Sequence, residues 1–219
     1  KNRLIEVEDA KNNITSYEYD SEGNKISMTD ANDNTNTYDY DDLNRMIKTN
    51  DPDGDSITYT YNANGTLAGK TDANGITCNF SYDTYGRLIK KDYPGTEQDM
   101  VFEYDLNGNK TKETGSNFEF SYTYDALNRL LSKTDNVLNK TISYTYDNAG
   151  NRATMTDGEN GVTEYTYDNL NRLTQLENPD NEITTFTYGK MGEKLQQTNH
   201  NGTKTTHEYF NNYKLQKLS

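Results

Sequence analysis

The sequence predicts an all-β protein, an antiparallel β-meander of tandem repeats of about 21 residues with two strands each. Three observations predict it. Tyr122-Thr123-Tyr124-Asp125-Ala126-Leu127-Asn128-Arg129-Leu130 returns as Tyr165-Thr166-Tyr167-Asp168-Asn169-Leu170-Asn171-Arg172-Leu173. Weaker copies begin at Tyr17, Tyr38, Tyr59, Phe80, Phe102, Tyr144, Phe186 and, degenerate, His207, so that neighbouring origins lie 20 to 22 residues apart. A fixed period in this range marks a repeat architecture. Each repeat also carries two turn signals, and no stretch between them has helical periodicity.

The first strand of each repeat ends on a tyrosine two positions after the origin: Tyr19, Tyr40, Tyr61, Tyr82, Tyr104, Tyr124, Tyr146, Tyr167, Tyr188 and Tyr209. The two aromatics of Tyr-x-Tyr face the same side because strand side chains alternate. Asp, or once Asn62, follows until Gly189 and Phe210. Its side chain accepts from a backbone N–H two residues on and so starts a turn.

Six positions after the origin stand Gly23, Asn44, Gly65, Gly86, Gly108, Asn128, Gly150, Asn171 and Gly192, until Tyr213 breaks the rule. Gly and Asn best tolerate positive φ, so a left-handed residue is expected in each of these turns. In the second strand, simple alternation puts Ile26 with Met28, Ala153 with Met155 and Thr174 with Leu176 on one face. It puts the leucines of Arg87-Leu88 and Arg129-Leu130 on the other. The second turn shows as Asp30-Ala31-Asn32-Asp33, Asp51-Pro52-Asp53-Gly54, Asp72-Ala73-Asn74-Gly75, Tyr93-Pro94-Gly95, Asp157-Gly158-Glu159-Asn160-Gly161 and Asn178-Pro179-Asp180-Asn181. All three prolines fall here, where they cost no ladder hydrogen bond.

A period of two repeats overlies the short one. The copies at Tyr38, Phe80, Tyr122 and Tyr165 carry Leu43, Tyr85, Leu127 and Leu170 before the turn Gly or Asn, and Arg45, Arg87, Arg129 and Arg172 after it. These read as apolar plugs and cations packing on a neighbouring layer. The whole chain, 1–219, reads as one array of about ten repeats, partial at both ends. Asn2-Arg3-Leu4 matches Asn128-Arg129-Leu130, and Ser219 falls in the same part of a repeat, so a segment of a longer protein is expected.

Composition bounds the rest. Hydrophobic residues make up 31% of the chain, below the usual 45–50% or so, while tyrosine alone contributes 19 residues. A thick aliphatic core is excluded, and periodic aromatics argue against disorder. The net charge of −13 disfavours nucleic acid and anionic membrane as partners. No apolar run is long enough to span a membrane as a helix.

Tyr-x-Tyr-Asp-x-x-[Gly/Asn]-[Asn/Arg]-Leu followed by Thr-Asp-x-x-Gly resembles the YD repeat of the rearrangement-hotspot (RHS) family over essentially the whole chain. The resemblance implies a long meander that spirals into a hollow, curved shell or tube. In bacterial polymorphic toxins and toxin-complex B and C components, such a shell encloses a C-terminal toxic domain. In wall-associated proteins and teneurins it belongs to the cell surface, with adhesion in the teneurins. The segment that follows the repeats in many members and supports self-cleavage is not in this sequence, so protease and toxin activities do not carry over. An extracellular or cell-surface structural module is expected, with a filament or glycan-binding adhesin as the alternative. Its partners would be further YD repeats of the same or a neighbouring chain, an enclosed toxin domain or a surface glycan.

No catalytic constellation stands out, so no enzyme activity and no cofactor are expected. Asp51, Asp53 and Asp55 alternate as in a calcium loop, but no bidentate Glu follows where an EF-hand needs it, and an ordinary turn explains them. His200 and His207 are the two histidines, too few for a zinc site of the usual kind. Cys78, the single cysteine, reads as a small strand side chain. The tyrosine rows could take a glycan through flat apolar contact, but their strict period argues that they hold the sheet together.

Overall fold

The computed structural model describes residues 3–95, 99–210 and 214–218. Asn2, Tyr213 and Ser219, which phase the ends of the array, lie outside the described residues. The chain divides into two compact units, residues 1–102 with 114–116, and 103–113 with 117–219. The described residues form strands and turns and contain no helix.

Unit 1 holds β1 (Glu6–Glu8), β2 (Ile14–Tyr19), β3 (Lys25–Thr29), β4 (Thr35–Tyr40), β5 (Met46–Asn50), β6 (Ser56–Tyr61), β7 (Leu67–Thr71), β8 (Thr77–Tyr82) and β9 (Leu88–Asp92). Each pairs antiparallel with the next. The start of β10 (Met100–Tyr104) pairs with β9. Unit 2 holds most of β11 (Lys110–Thr114), then β12 (Glu119–Tyr124), β13 (Leu130–Asp135), β14 (Lys140–Tyr146), β15 (Arg152–Thr156), β16 (Val162–Tyr167), β17 (Leu173–Glu177), β18 (Ile183–Tyr188), β19 (Lys194–Thr198), β20 (Lys204–Tyr209) and β21 (Leu215–Leu218). From β12 onward each again pairs antiparallel with its successor. The protein is therefore an all-β meander with two strands per repeat. Tyr19, Tyr40 and Tyr61 lie on β2, β4 and β6, with another strand between each pair.

The turns explain why the chain reverses so often. The Asp41 N–H donates to the Arg45 carbonyl and the Asn44 N–H to the Asp41 carbonyl, both at 2.9 Å. This closes a three-residue loop whose last residue must be left-handed. Asn44 has φ of +60°, and Gly23, Gly65, Gly86, Gly108, Asn128, Gly150, Asn171 and Gly192 are all positive as well. The second turns use the same loop. Asp33, Gly54, Gly75, Asn181 and Gly202 hold the left-handed place there.

A bulge follows the Tyr-x-Tyr turn in nine of the described hairpins, and simple alternation misses it. Tyr19 pairs with Lys25 while Glu18 pairs with Ser27, which leaves Ile26 as the extra residue. The same slip recurs in eight further hairpins. An inserted residue rephases the strand. Lys25 rather than Ile26 therefore shares the tyrosine face with Met28, and its ammonium lies over the Tyr17 and Tyr38 rings. Arg152 likewise replaces Ala153 as the companion of Met155, over Tyr144 and Tyr165. Leu88 and Leu130 pair directly with Tyr82 and Tyr124, not on the opposite face.

Burial is shallow, as the low apolar content requires. Among the described residues Cys78 and Phe102 are the buried apolar side chains, and none is fully buried. In β18, Thr184, Phe186 and Tyr188 are half-buried while Ile183, Thr185 and Thr187 are exposed. The expected plugs do not pack within their units: Leu43, Tyr85, Leu127 and Leu170 are 69–80% exposed. Each stands at the tip of its loop, where its backbone N–H is held by the turn aspartate and its side chain reaches solvent.

Candidate functional site

The features that recur in every repeat gather at the hairpin ends that carry the Tyr-x-Tyr-Asp turns. The last β5–β6 pair toward that end is Lys48 with Thr58. Met46 lies two residues past it and has no ladder partner on β6. The Tyr61 hydroxyl crosses this gap and donates to the Met46 carbonyl at 2.7 Å. In unit 1 the same bond joins Tyr19 to Leu4 and Tyr40 to Lys25. In unit 2 it joins Tyr124 to Lys110, Tyr146 to Leu130, Tyr188 to Leu173 and Tyr209 to Lys194, all at 2.8–2.9 Å. A carbonyl beyond the ladder needs a donor, and the second tyrosine supplies it from the next repeat. Burial pushes the Tyr40, Tyr82, Tyr124 and Tyr167 phenols above their ordinary value, which keeps them protonated.

The turn aspartate organises the loop beneath. Asp41 Oδ1 accepts from the Leu43 and Arg45 N–H groups, and Oδ2 accepts from Arg45 Nε at 2.8 Å. The Arg45 side chain, followed by these backbone donors, holds the Asp41 carboxyl below its ordinary value. Arg172 does the same for Asp168. In the polar turns the side-chain amides of Asn109 and Asn151 lead, lowering Asp105 and Asp147.

The two-repeat period follows from what each turn passes to its neighbour. Arginine turns pass a cation. Arg45 lies 4.5 Å over Tyr61, Arg129 4.4 Å over Tyr146 and Arg172 4.8 Å over Tyr188. Polar turns pass an amide. Asn24 donates to Asn44, Asn109 to Asn128 and Asn151 to Asn171, at 2.7–2.9 Å. The left-handed asparagines therefore have a second role, as side-chain acceptors. Sequence reasoning missed both links. The usable signal was that the first aromatic varies to Phe, whereas the second is always Tyr and so needs its hydroxyl.

Of the remaining candidates, Asp51, Asp53, Asp55 and His200 lie in or beside second turns, away from this edge. Asp51 Oδ1 accepts from the Asp53 and Asp55 N–H groups, ordinary turn bonds. Among the described residues no three Asp, Glu, His or Cys side chains gather as a metal site would require. His200 pairs with Glu182 at 3.1 Å, and His207 stacks on Tyr209.

Fold and edge together define a class, a hairpin-repeat protein whose sheet is propagated by side-chain links from repeat to repeat rather than by a deep core. The Teneurin YD-shell family model matches residues 1–114, and the RHS Repeat model matches residues 124–162. The chain belongs to the YD-shell family. Among solved structures it is similar to the TcdB2-TccC3-Cdc42 crystal structure and to TcdB2-TccC3 without its hypervariable C-terminal region. In both, the TM-score is 0.75 at 16% identity over 94% of this chain. It spans 12% of the length of each of those chains. A search of curated proteins finds no match.

Proposed function

We propose that this chain is a wall segment of an RHS-type β-shell that encloses a secreted toxin or other cargo, outside the cell or at its surface. The observation that carries the reading is the open-ended link between hairpins. At seven places among the described residues a tyrosine hydroxyl completes the edge of the repeat before it, so repeats can be added without a new core at each step. The TcdB2-TccC3 fold, known also in a form without its hypervariable C-terminal region, supports a wall built this way. The role is structural rather than catalytic, because the turn carboxylates are engaged by backbone N–H groups, amides and guanidinium groups. Cryo-electron microscopy of the native polypeptide that contains this segment tests the reading. A closed shell around internal density is expected; an open fibre would overturn it.

The match of residues 1–114 to the Teneurin YD-shell model favours one second reading, a surface module that supports adhesion. In that case, beads coated with the native polypeptide would bind cells, and no cargo would be protected from protease.

A further inference from the structure

We propose that the Asn74–Gly75 turn is a site of spontaneous covalent modification, at which the Gly75 backbone nitrogen attacks the Asn74 side-chain amide. The C–N bond forms at Asn74 Cγ as the Gly75 N–H proton is lost to solvent base. Ammonia leaves with a solvent proton, giving a five-membered succinimide. Water then opens the ring to aspartate or isoaspartate. No oxidant or enzyme is needed, and water is the sole co-reactant.

The sequence holds five Asn-Gly pairs, at Asn64, Asn74, Asn107, Asn160 and Asn201. All lie in turns, but they are held differently. For attack, Cγ must swing over the glycine nitrogen, and the glycine N–H must leave its turn acceptor. Asn74 is exposed, and its side-chain amide makes no hydrogen bond; only its backbone N–H is tied, to Asp72. Asn64 Oδ1 accepts from both the backbone N–H and the hydroxyl of Thr66, at 3.1 and 2.7 Å. Asn201 is held in the same way by Thr203. The Asn107 amide donates to Asn128. At Asn160 the following Gly161 N–H is held by the Asp157 carboxylate at 2.8 Å, and a Cβ at Gly161 would lie 2.9 Å from Pro179.

Each side-chain hydrogen bond that must break slows attack by roughly fivefold. Asn74 therefore converts first, and Asn64, Asn107, Asn160 and Asn201 follow. Isoaspartate adds one backbone carbon to the three-residue loop between β7 and β8, and either product adds a negative charge to a chain already at −13. This hairpin becomes the place where the sheet ages.

The test is incubation of the folded 219-residue protein in mildly alkaline buffer, with peptide mapping by mass spectrometry and isoaspartate labelling. Asn74 should convert first, with Asn64 and Asn201 lagging by roughly fivefold or more. Thr66→Ala should bring Asn64 up toward the Asn74 rate and leave Asn201 unchanged. In denaturant the ranking should collapse. Equal native rates at Asn64 and Asn74, no response of Asn64 to Thr66→Ala, or a ranking that persists in the unfolded chain would each overturn the proposal. A Thr66→Ala protein in which every site speeds up equally would also overturn it, since protection would then be global rather than local.

Discussion

The hydroxyl of Tyr61 donates to the carbonyl of Met46 at 2.7 Å, across a gap where β5 and β6 no longer pair. Loss of one such bond to a half-buried carbonyl is worth about 1 kcal/mol. Tyr61→Phe should therefore lower stability by about that amount. Tyr59→Phe should be nearly neutral, because Phe80, Phe102 and Phe186 fill the equivalent place elsewhere. Urea midpoints of the two variants check the difference.

The arginine turns depend on a planar cation. Arg129 Nε donates to Asp125 at 2.7 Å while its guanidinium covers the Tyr146 ring. Lysine keeps the charge but loses the fork and the stack. Arg129→Lys should cost about 0.5–1 kcal/mol in thermal or urea unfolding, and raising the salt concentration should recover little of it.

Backbone angle and side-chain role separate at the turns. Gly108 has φ of +90°, so Gly108→Val should destabilise by at least about 1–2 kcal/mol. Asn181 has φ of +62° and no side-chain hydrogen bond, so Asn181→Gly should be neutral or slightly stabilising. Asn128→Gly keeps the angle but removes the acceptor for Asn107 and Asn109, and should be measurably worse than Asn181→Gly. Calorimetry of the three variants gives the order.

Both ends of the pH scale should destabilise the protein. The carboxyls of Asp41, Asp105, Asp147 and Asp168 are held below their ordinary 3.8 by turn hydrogen bonds. Their contribution is complete above 3.8 and is lost as pH falls through the lowered folded values. The phenols of Tyr40, Tyr124 and Tyr167 are raised above 10.0 by burial, so their contribution is complete below 10.0 and is lost as pH rises through the folded values. Thermal midpoints should be nearly level between these limits and fall beyond each. A midpoint that changes steeply between pH 5 and 8 would need another titrating group.

The repeat period, the hairpins and the left-handed turn residues were legible because each is written in a few consecutive letters. Asn44 and Gly65 occupy one place for one backbone reason. The bulge was not legible, because register depends on two strands at once: nothing local to Lys25-Ile26 says which of them faces Tyr17. The Tyr61–Met46 bond and the Arg45–Tyr61 stack were hidden for the same reason, since each joins residues 15 or 16 apart across neighbouring repeats. Leu43 and Leu127 misled because apolar character was read as burial, whereas a loop tip leaves them in solvent.

Hydrogen–deuterium exchange at the turn edge of β13 tests the tyrosine brace most directly. Tyr146→Phe, which removes the bond to the Leu130 carbonyl, should raise exchange at Leu130, Leu131 and Ser132 and at the Asp147 turn, while Tyr144→Phe should leave them unchanged. Equal protection in both variants would contradict it, because the second tyrosine would then be acting as another aromatic ring and not as a donor that ties one repeat to the next.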